Sequence, residues 1–185
     1  MAICIFPGTF NPIHYAHIKM AQYALDKYGF EKIMFVPSYI PPHKNLDNNL
    51  AKHRYNMVKL ACDKNSKFEL SDIEYKFEGK SYTVNTVKKI KELYNIQERL
   101  NMIIGTDAFA KIHTWYKADE LKISVHFIVF PRGNDIINPA VYKGYSYEIA
   151  DADKIDISST ELRQSCNGNT LKEIEEYIDR YELYN

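Results

Sequence analysis

The sequence predicts a doubly wound α/β fold with a mostly parallel sheet, and three observations carry that expectation. Short β-branched or aromatic runs recur along the chain, and segments of helical period lie between them. A chain of 185 residues that is 45% hydrophobic can bury one full core, so a single domain over 1–185 is expected. Strands separated by helices need crossover connections. Right-handed crossovers make the sheet parallel and cover both of its faces.

The first strand is the run Ile3 to Phe6, followed by the turn Pro7-Gly8-Thr9-Phe10-Asn11-Pro12. A helix then starts between Pro12 and Tyr15, carrying His14, His17, Met20, Ala21 and Ala24. Further strands are expected at Ile33 to Val36, Phe68 to Leu70, Met102 to Ile104, Val125 to Phe130 and Ile155 to Ile157. Helical spacing places Ala51, Val58 and Cys62 on one face, then Val84, Val87, Ile90 and Tyr94, and finally Leu171, Ile174, Ile178 and Tyr181. Two stretches, Pro37 to Asn49 and Pro131 to Tyr147, lack periodicity; loops of that length inside a compact domain are more often functional than not. The tyrosines from Tyr142 to Tyr147 either cover the sheet or pack between subunits of a homo-oligomer.

Bulk properties narrow the function classes. Lysine plus arginine and aspartate plus glutamate both number 24, so no global field draws the chain to nucleic acid or an anionic membrane. The start MAICIFPGTF has neither the basic head nor the apolar stretch of a secretory signal, and a cytoplasmic chain is expected. Cys4, Cys62 and Cys166 are widely spaced and form no CxxC, which argues for reduced packing residues rather than disulfides or zinc.

In a doubly wound sheet ligands bind beyond the carboxyl ends of the strands, where loops meet helix N-termini. The first loop has a glycine turn and then a helix start, whose unpaired N–H groups and dipole suit a phosphate. His14 and His17 are spaced to point the same way and face one anion. A zinc helix would instead place two histidines four apart around a glutamate. Near the other end, Ser158-Ser159-Thr160-Glu161-Leu162-Arg163 carries a capping box, a structural device in itself. Thr160 with Arg163, or Ser159 with Arg163, also surrounds an anion with hydroxyl, backbone and guanidinium donors.

GTFNPIHYAH resembles the GTFDPxHxGH signature of the nucleotidyltransferase superfamily, and ISSTELR resembles its ISSTxxR motif. Asn11 stands for the usual aspartate and Ala16 for the usual glycine; both are small enough to keep the turn and the close helix approach. Val36-Pro37-Ser38-Tyr39-Ile40-Pro41-Pro42-His43-Lys44 is similar to the second-strand loop of nicotinate mononucleotide adenylyltransferases. Ser81-Tyr82-Thr83, Ile104-Gly105-Thr106-Asp107 and Thr114-Trp115-Tyr116 match the same family in order, and Arg132 in FPRGN matches loosely.

The resemblance implies a Rossmann-like nucleotidyltransferase fold that joins AMP from ATP to nicotinate mononucleotide, releasing pyrophosphate. It implies catalytic roles for His14, His17, Lys44 and Arg163. It implies an ATP site at Gly8, Thr9, Phe10, His17, Gly105, Asp107, Ser159, Thr160 and Arg163. The acceptor would meet Thr83, Trp115, Tyr116, Lys44 and Arg132. Mg²⁺ is expected to be held mainly by ATP phosphates, with no protein metal ligands. Two rivals stay in view: a phosphopantetheine adenylyltransferase, whose family lacks PPHK and TWY, and a catalytically silent nucleotide sensor on the same fold.

Overall fold

The computed structural model describes residues 2–42, 49–132, 142–152, 159–164 and 168–184. Six parallel strands form one sheet: β1 (Ile3–Gly8), β2 (Lys32–Pro37), β3 (Phe68–Leu70), β4 (Leu100–Gly105), β5 (Val125–Phe130) and β6 (Ser146–Ile149), in the order β3-β2-β1-β4-β5-β6. The helices are α1 (Tyr15–Tyr28), α2 (Leu50–Cys62), α3 (Thr83–Leu93), α4 (Thr106–Phe109), α5 (Ala118–Ser124), α6 (Ser159–Gln164) and α7 (Lys172–Arg180).

Alternation along the strands divides the core by face. Cys4, Phe6, Ile33, Phe35, Ile103, Ile128 and Phe130 point to the side of α1, α2 and α7, and Ile3, Ile5, Met34, Val36, Met102, Ile104, Phe127 and Val129 to the side of α3 and α5. Both faces are thus covered, as near-continuous apolar strands require. Cys4 and Cys62 are buried, and burial pushes both thiols well above the ordinary range; Cys166 lies outside the described residues.

Several details depart from the sequence reading. The first strand runs on to Gly8, in register with Pro37 of β2. The sixth strand is Ser146–Ile149, which carries too little apolar alternation to be recognised; the expected strand at Ile155 to Ile157 lies outside the described residues. Tyr94 and Tyr181, expected on buried helix faces, are the C-caps of α3 and α7 and are 39% and 50% exposed. The tyrosine-rich stretch covers the sheet: Tyr142 stacks on Phe109 at 4.8 Å, and Tyr145 packs edge-on to Phe127.

Candidate active site

The strand order reverses between β1 and β4, and there a cleft of about 870 Å³ opens at their carboxyl ends. The loops diverge on either side of this point, leaving space that no side chain fills. Gly8 and Gly105 end the two strands and line the cleft. A Cβ on Gly8 would lie 2.8 Å from Phe10 Cζ, and one on Gly105 would lie 2.5 Å from Asp107 Oδ1.

His14 is the N-cap of α1 and His17 sits in its first turn. The rings lie 3.7 Å apart between centroids, and the backbone N–H of His14 donates to His17 Nδ1 at 3.2 Å. A neutral His17 that accepts at Nδ1 carries its proton on Nε2. Phe10 supports that ring edge-on at 5.0 Å while its own ring is buried against Phe6 and Phe35. His14 is wholly buried, and neither of its ring nitrogens has a hydrogen-bond partner among the described residues. Desolvation, with the Arg132 charge second, lowers its pKa to about 3. His14 is therefore neutral at physiological pH, beside a void of about 10 Å³ that His17, Phe130 and Arg132 also bound.

The loop between β1 and α1 is tied down by its carbonyls. Arg163 Nη1 donates to Asn11 O at 2.7 Å, Ser159 Oγ to Pro12 O at 3.1 Å and Thr170 Oγ1 to Ile13 O at 2.9 Å. Tyr184 donates its hydroxyl proton to Asn11 Oδ1 at 2.7 Å. Arg163 also donates to the Ser159 carbonyl at 3.1 Å and to Thr160 Oγ1 at 3.2 Å, so of the two hydroxyls raised by the sequence it meets that of Thr160, while that of Ser159 turns to Pro12. Ser158 and the side chain of Glu161 lie outside the description.

Across the cleft, Asp107 faces Arg132 with 3.7 Å between Oδ2 and Nη1. The Thr106 hydroxyl fixes the Arg132 backbone, donating to its O at 2.6 Å and accepting its N–H at 2.8 Å. Thr83 begins α3, and Tyr82 packs tilted against Tyr116, 4.4 Å between ring centroids, with Trp115 lining the same cleft. Pro41 and Pro42 line the same space, while Lys44 lies outside the described residues. The predicted residues Gly8, Thr9, Phe10, His17, Thr83, Gly105, Asp107, Trp115, Tyr116, Arg132, Ser159, Thr160 and Arg163 all line this cleft, with His14 just beneath it.

A family model described as cytidylyltransferase-like matches residues 5–165. The nicotinate-nucleotide adenylyltransferase of Bacillus subtilis is 36% identical, over 98% of this chain and 97% of its own. A relative in Caldicellulosiruptor saccharolyticus, named as a probable nicotinate-nucleotide adenylyltransferase, is 37% identical over 100% of this chain and 99% of its own. This chain belongs to the nicotinate-nucleotide adenylyltransferases. Its fold agrees: the Plasmodium falciparum nicotinic acid mononucleotide adenylyltransferase complexed with NaAD superposes with a TM-score of 0.82 at 25% identity, covering 98% of this chain and 96% of that one.

Among the described residues no group of three or more histidine, cysteine or acidic side chains is gathered, and Asp107, the one carboxylate lining the cleft, faces Arg132. Such a donor set fits a divalent ion held by triphosphate oxygens and water. No helix among the described residues is long and apolar enough to cross a membrane.

Sequence reasoning missed the polar residues beneath the cleft, above all Arg54. A signal existed: Arg54 falls on the Ala51, Val58 stripe of α2, where a charge is out of place unless buried and paired. Thr106 was noted only as part of the Ile104-Gly105-Thr106-Asp107 segment, with no sign of its contact to Arg132, and Tyr184 left no trace, since these contacts cross 26 and 173 residues.

Proposed function

We propose that the cleft transfers the adenylyl group of ATP to the 5′-phosphate of nicotinate mononucleotide, forming nicotinate adenine dinucleotide and pyrophosphate. The observation that supports this most is the convergence of two phosphate-type loops, Gly8 to His17 and Ser159 to Arg163, with the Thr83 and Trp115 segments in one space. The acceptor phosphate has its second pKa near ~6, is largely dianionic at neutral pH and attacks the α-phosphorus without a general base. The P–O bond to pyrophosphate breaks as the new one forms, so no covalent enzyme intermediate arises.

Catalysis in this reading is alignment plus electrostatic stabilisation. His17 donates from Nε2, and His14 adds one N–H from a neutral ring. Arg163, Ser159 and Thr160 meet the leaving pyrophosphate together with Lys44. When bound, magnesium would be held by triphosphate oxygens and water rather than by side chains of the cleft, and would supply charge neutralisation to the phosphates. Asp107 accepts from the ATP ribose hydroxyls; Trp115 stacks on the pyridine ring beside Tyr116, and Thr83 with nearby backbone donors holds its carboxylate. Those donors favour the acid over the amide, whose NH₂ would oppose them.

The test is pyrophosphate release with ATP and each of three acceptors: nicotinate mononucleotide, nicotinamide mononucleotide and phosphopantetheine. Release with the first, and strong preference for it over the second, is expected. Equal turnover of acid and amide would remove the carboxylate site, and release with phosphopantetheine alone would remove the acceptor assignment.

A further inference from the structure

Arg54 projects from α2 and is wholly buried. Its guanidinium joins two loops far apart in sequence: Nη1 donates to Thr9 O at 2.8 Å and to Ser38 O at 2.5 Å, and Nη2 to Tyr39 O at 3.0 Å. In the functional reading above, Thr9 follows β1 on the nucleotide side of the cleft, whereas Ser38 and Tyr39 follow β2 on the acceptor side. From above, Ser81 grips the second loop. Its Oγ accepts the N–H groups of Tyr39 at 3.0 Å and Ile40 at 3.1 Å, and its own N–H donates to Ile40 O at 2.8 Å.

Glu74 completes the group. It is 2% exposed, accepts the Thr86 hydroxyl at 2.6 Å, and burial raises its pKa against the opposing pull of the Thr86 and Ser81 hydroxyls and the Arg54 charge. A buried guanidinium and carboxylate stabilise a fold less well than apolar residues of the same volume, so packing alone does not account for them. Hydrogen bonds from Arg54 and Ser81 fix backbone groups of residues 38–40 from two sides at once.

Resting on the functional reading above, we propose that Arg54, Ser81 and Glu74 are positioning residues that set the acceptor half of the cleft against the nucleotide half. Ser81 links the loop after β2 to the start of α3, so residues 38–40 and the segment holding Thr83 act as one rigid unit on the acceptor side. Arg54 fixes that unit to Thr9 and hence to the signature loop. The two residues therefore carry different kinetic signatures. Ser81→Ala loosens the acceptor unit alone; Arg54→Lys, which keeps the charge but loses the fork that spans both loops, misaligns acceptor and donor.

Steady-state pyrophosphate release, read as separate KM values for ATP and acceptor alongside melting temperature, tests this. Ser81→Ala is expected to raise the acceptor KM roughly tenfold, the cost of leaving buried donors unpaired, with the ATP KM and kcat nearly unchanged. Arg54→Lys is expected to raise the acceptor KM and lower kcat by about ten- to a hundredfold. Ile90→Val, an apolar change in α3, controls for lost stability and leaves both KM values in place. If Arg54→Lys folds poorly, Ser81→Ala still decides. Melting temperature falling with no change in acceptor KM, or both KM values moving together, overturns the proposal. A wild-type chain active only on another phosphorylated acceptor overturns the functional reading instead; the same KM split on that acceptor supports the clamp.

Discussion

At the scale of single residues, the two histidines do different work because their surroundings differ. His17 is expected to act chiefly in the transition state, so His17→Ala should lower kcat by about 10²–10³-fold while changing the ATP KM little. Pyrophosphate release kinetics measure both. His14 has a pH signature of its own. The unfolded chain takes up a proton on it near pH 6.5, but the folded chain resists protonation down to about pH 3. Its pKa is depressed on folding, so stability is full above the unfolded value and declines as pH falls toward the folded one, by up to ~1.4 kcal/mol per pH unit. Melting temperatures between pH 7.5 and 5 should fall less steeply in His14→Asn than in the parent, about as flagged by that slope. The residue pair was legible in HxxH at a helix start, whereas the burial of His14 was not, because Phe130 and Arg132, which bound the same small void, meet it only once the chain has folded.

At the scale of elements, the strand ends control what the loops can do, and the two cleft glycines predict opposite outcomes. In Gly8→Ala the new methyl meets the Phe10 ring, which is buried with φ 47° and has nowhere to retreat. The loop must shift, lowering kcat and costing about 1–3 kcal/mol of stability. In Gly105→Ala the methyl meets Asp107 Oδ1, the end of a side chain that can swing away. That variant should keep its melting temperature and raise the ATP KM. Measuring melting temperature and ATP kinetics on both variants distinguishes the cases. Strands β1 to β5 and the amphipathic helices were readable because period and burial coincide; β6, with Glu148 and Ile149 exposed at the sheet edge, escaped for lack of that coincidence.

At the scale of the whole molecule, the parallel order β3-β2-β1-β4-β5-β6 brings residues from 8 to 163 into one cleft. A ligand that binds only the folded chain at a hundredfold excess over its Kd adds about 2.7 kcal/mol, which for a domain of this size raises Tm by roughly 5–10 °C. Thermal melts with ATP and with nicotinate mononucleotide should each show such a rise, and a flat response to both would leave the cleft without its substrates. The doubly wound class and the motif positions were legible because each motif is local. The buried frame of Arg54, Ser81 and Glu74 was not, since its partners meet only after the chain has folded.

The carbonyls of Asn11, Pro12 and Ile13 are held by Arg163, Ser159 and Thr170, and the Asn11 side chain by Tyr184. In time, this means that this loop waits for residues 147 to 173 positions downstream before its geometry is finished. A ribosome-bound chain halted before Ser159 is expected to form its early strands and helices while lacking all four of these donors, so the geometry of this loop is completed after that of the sheet.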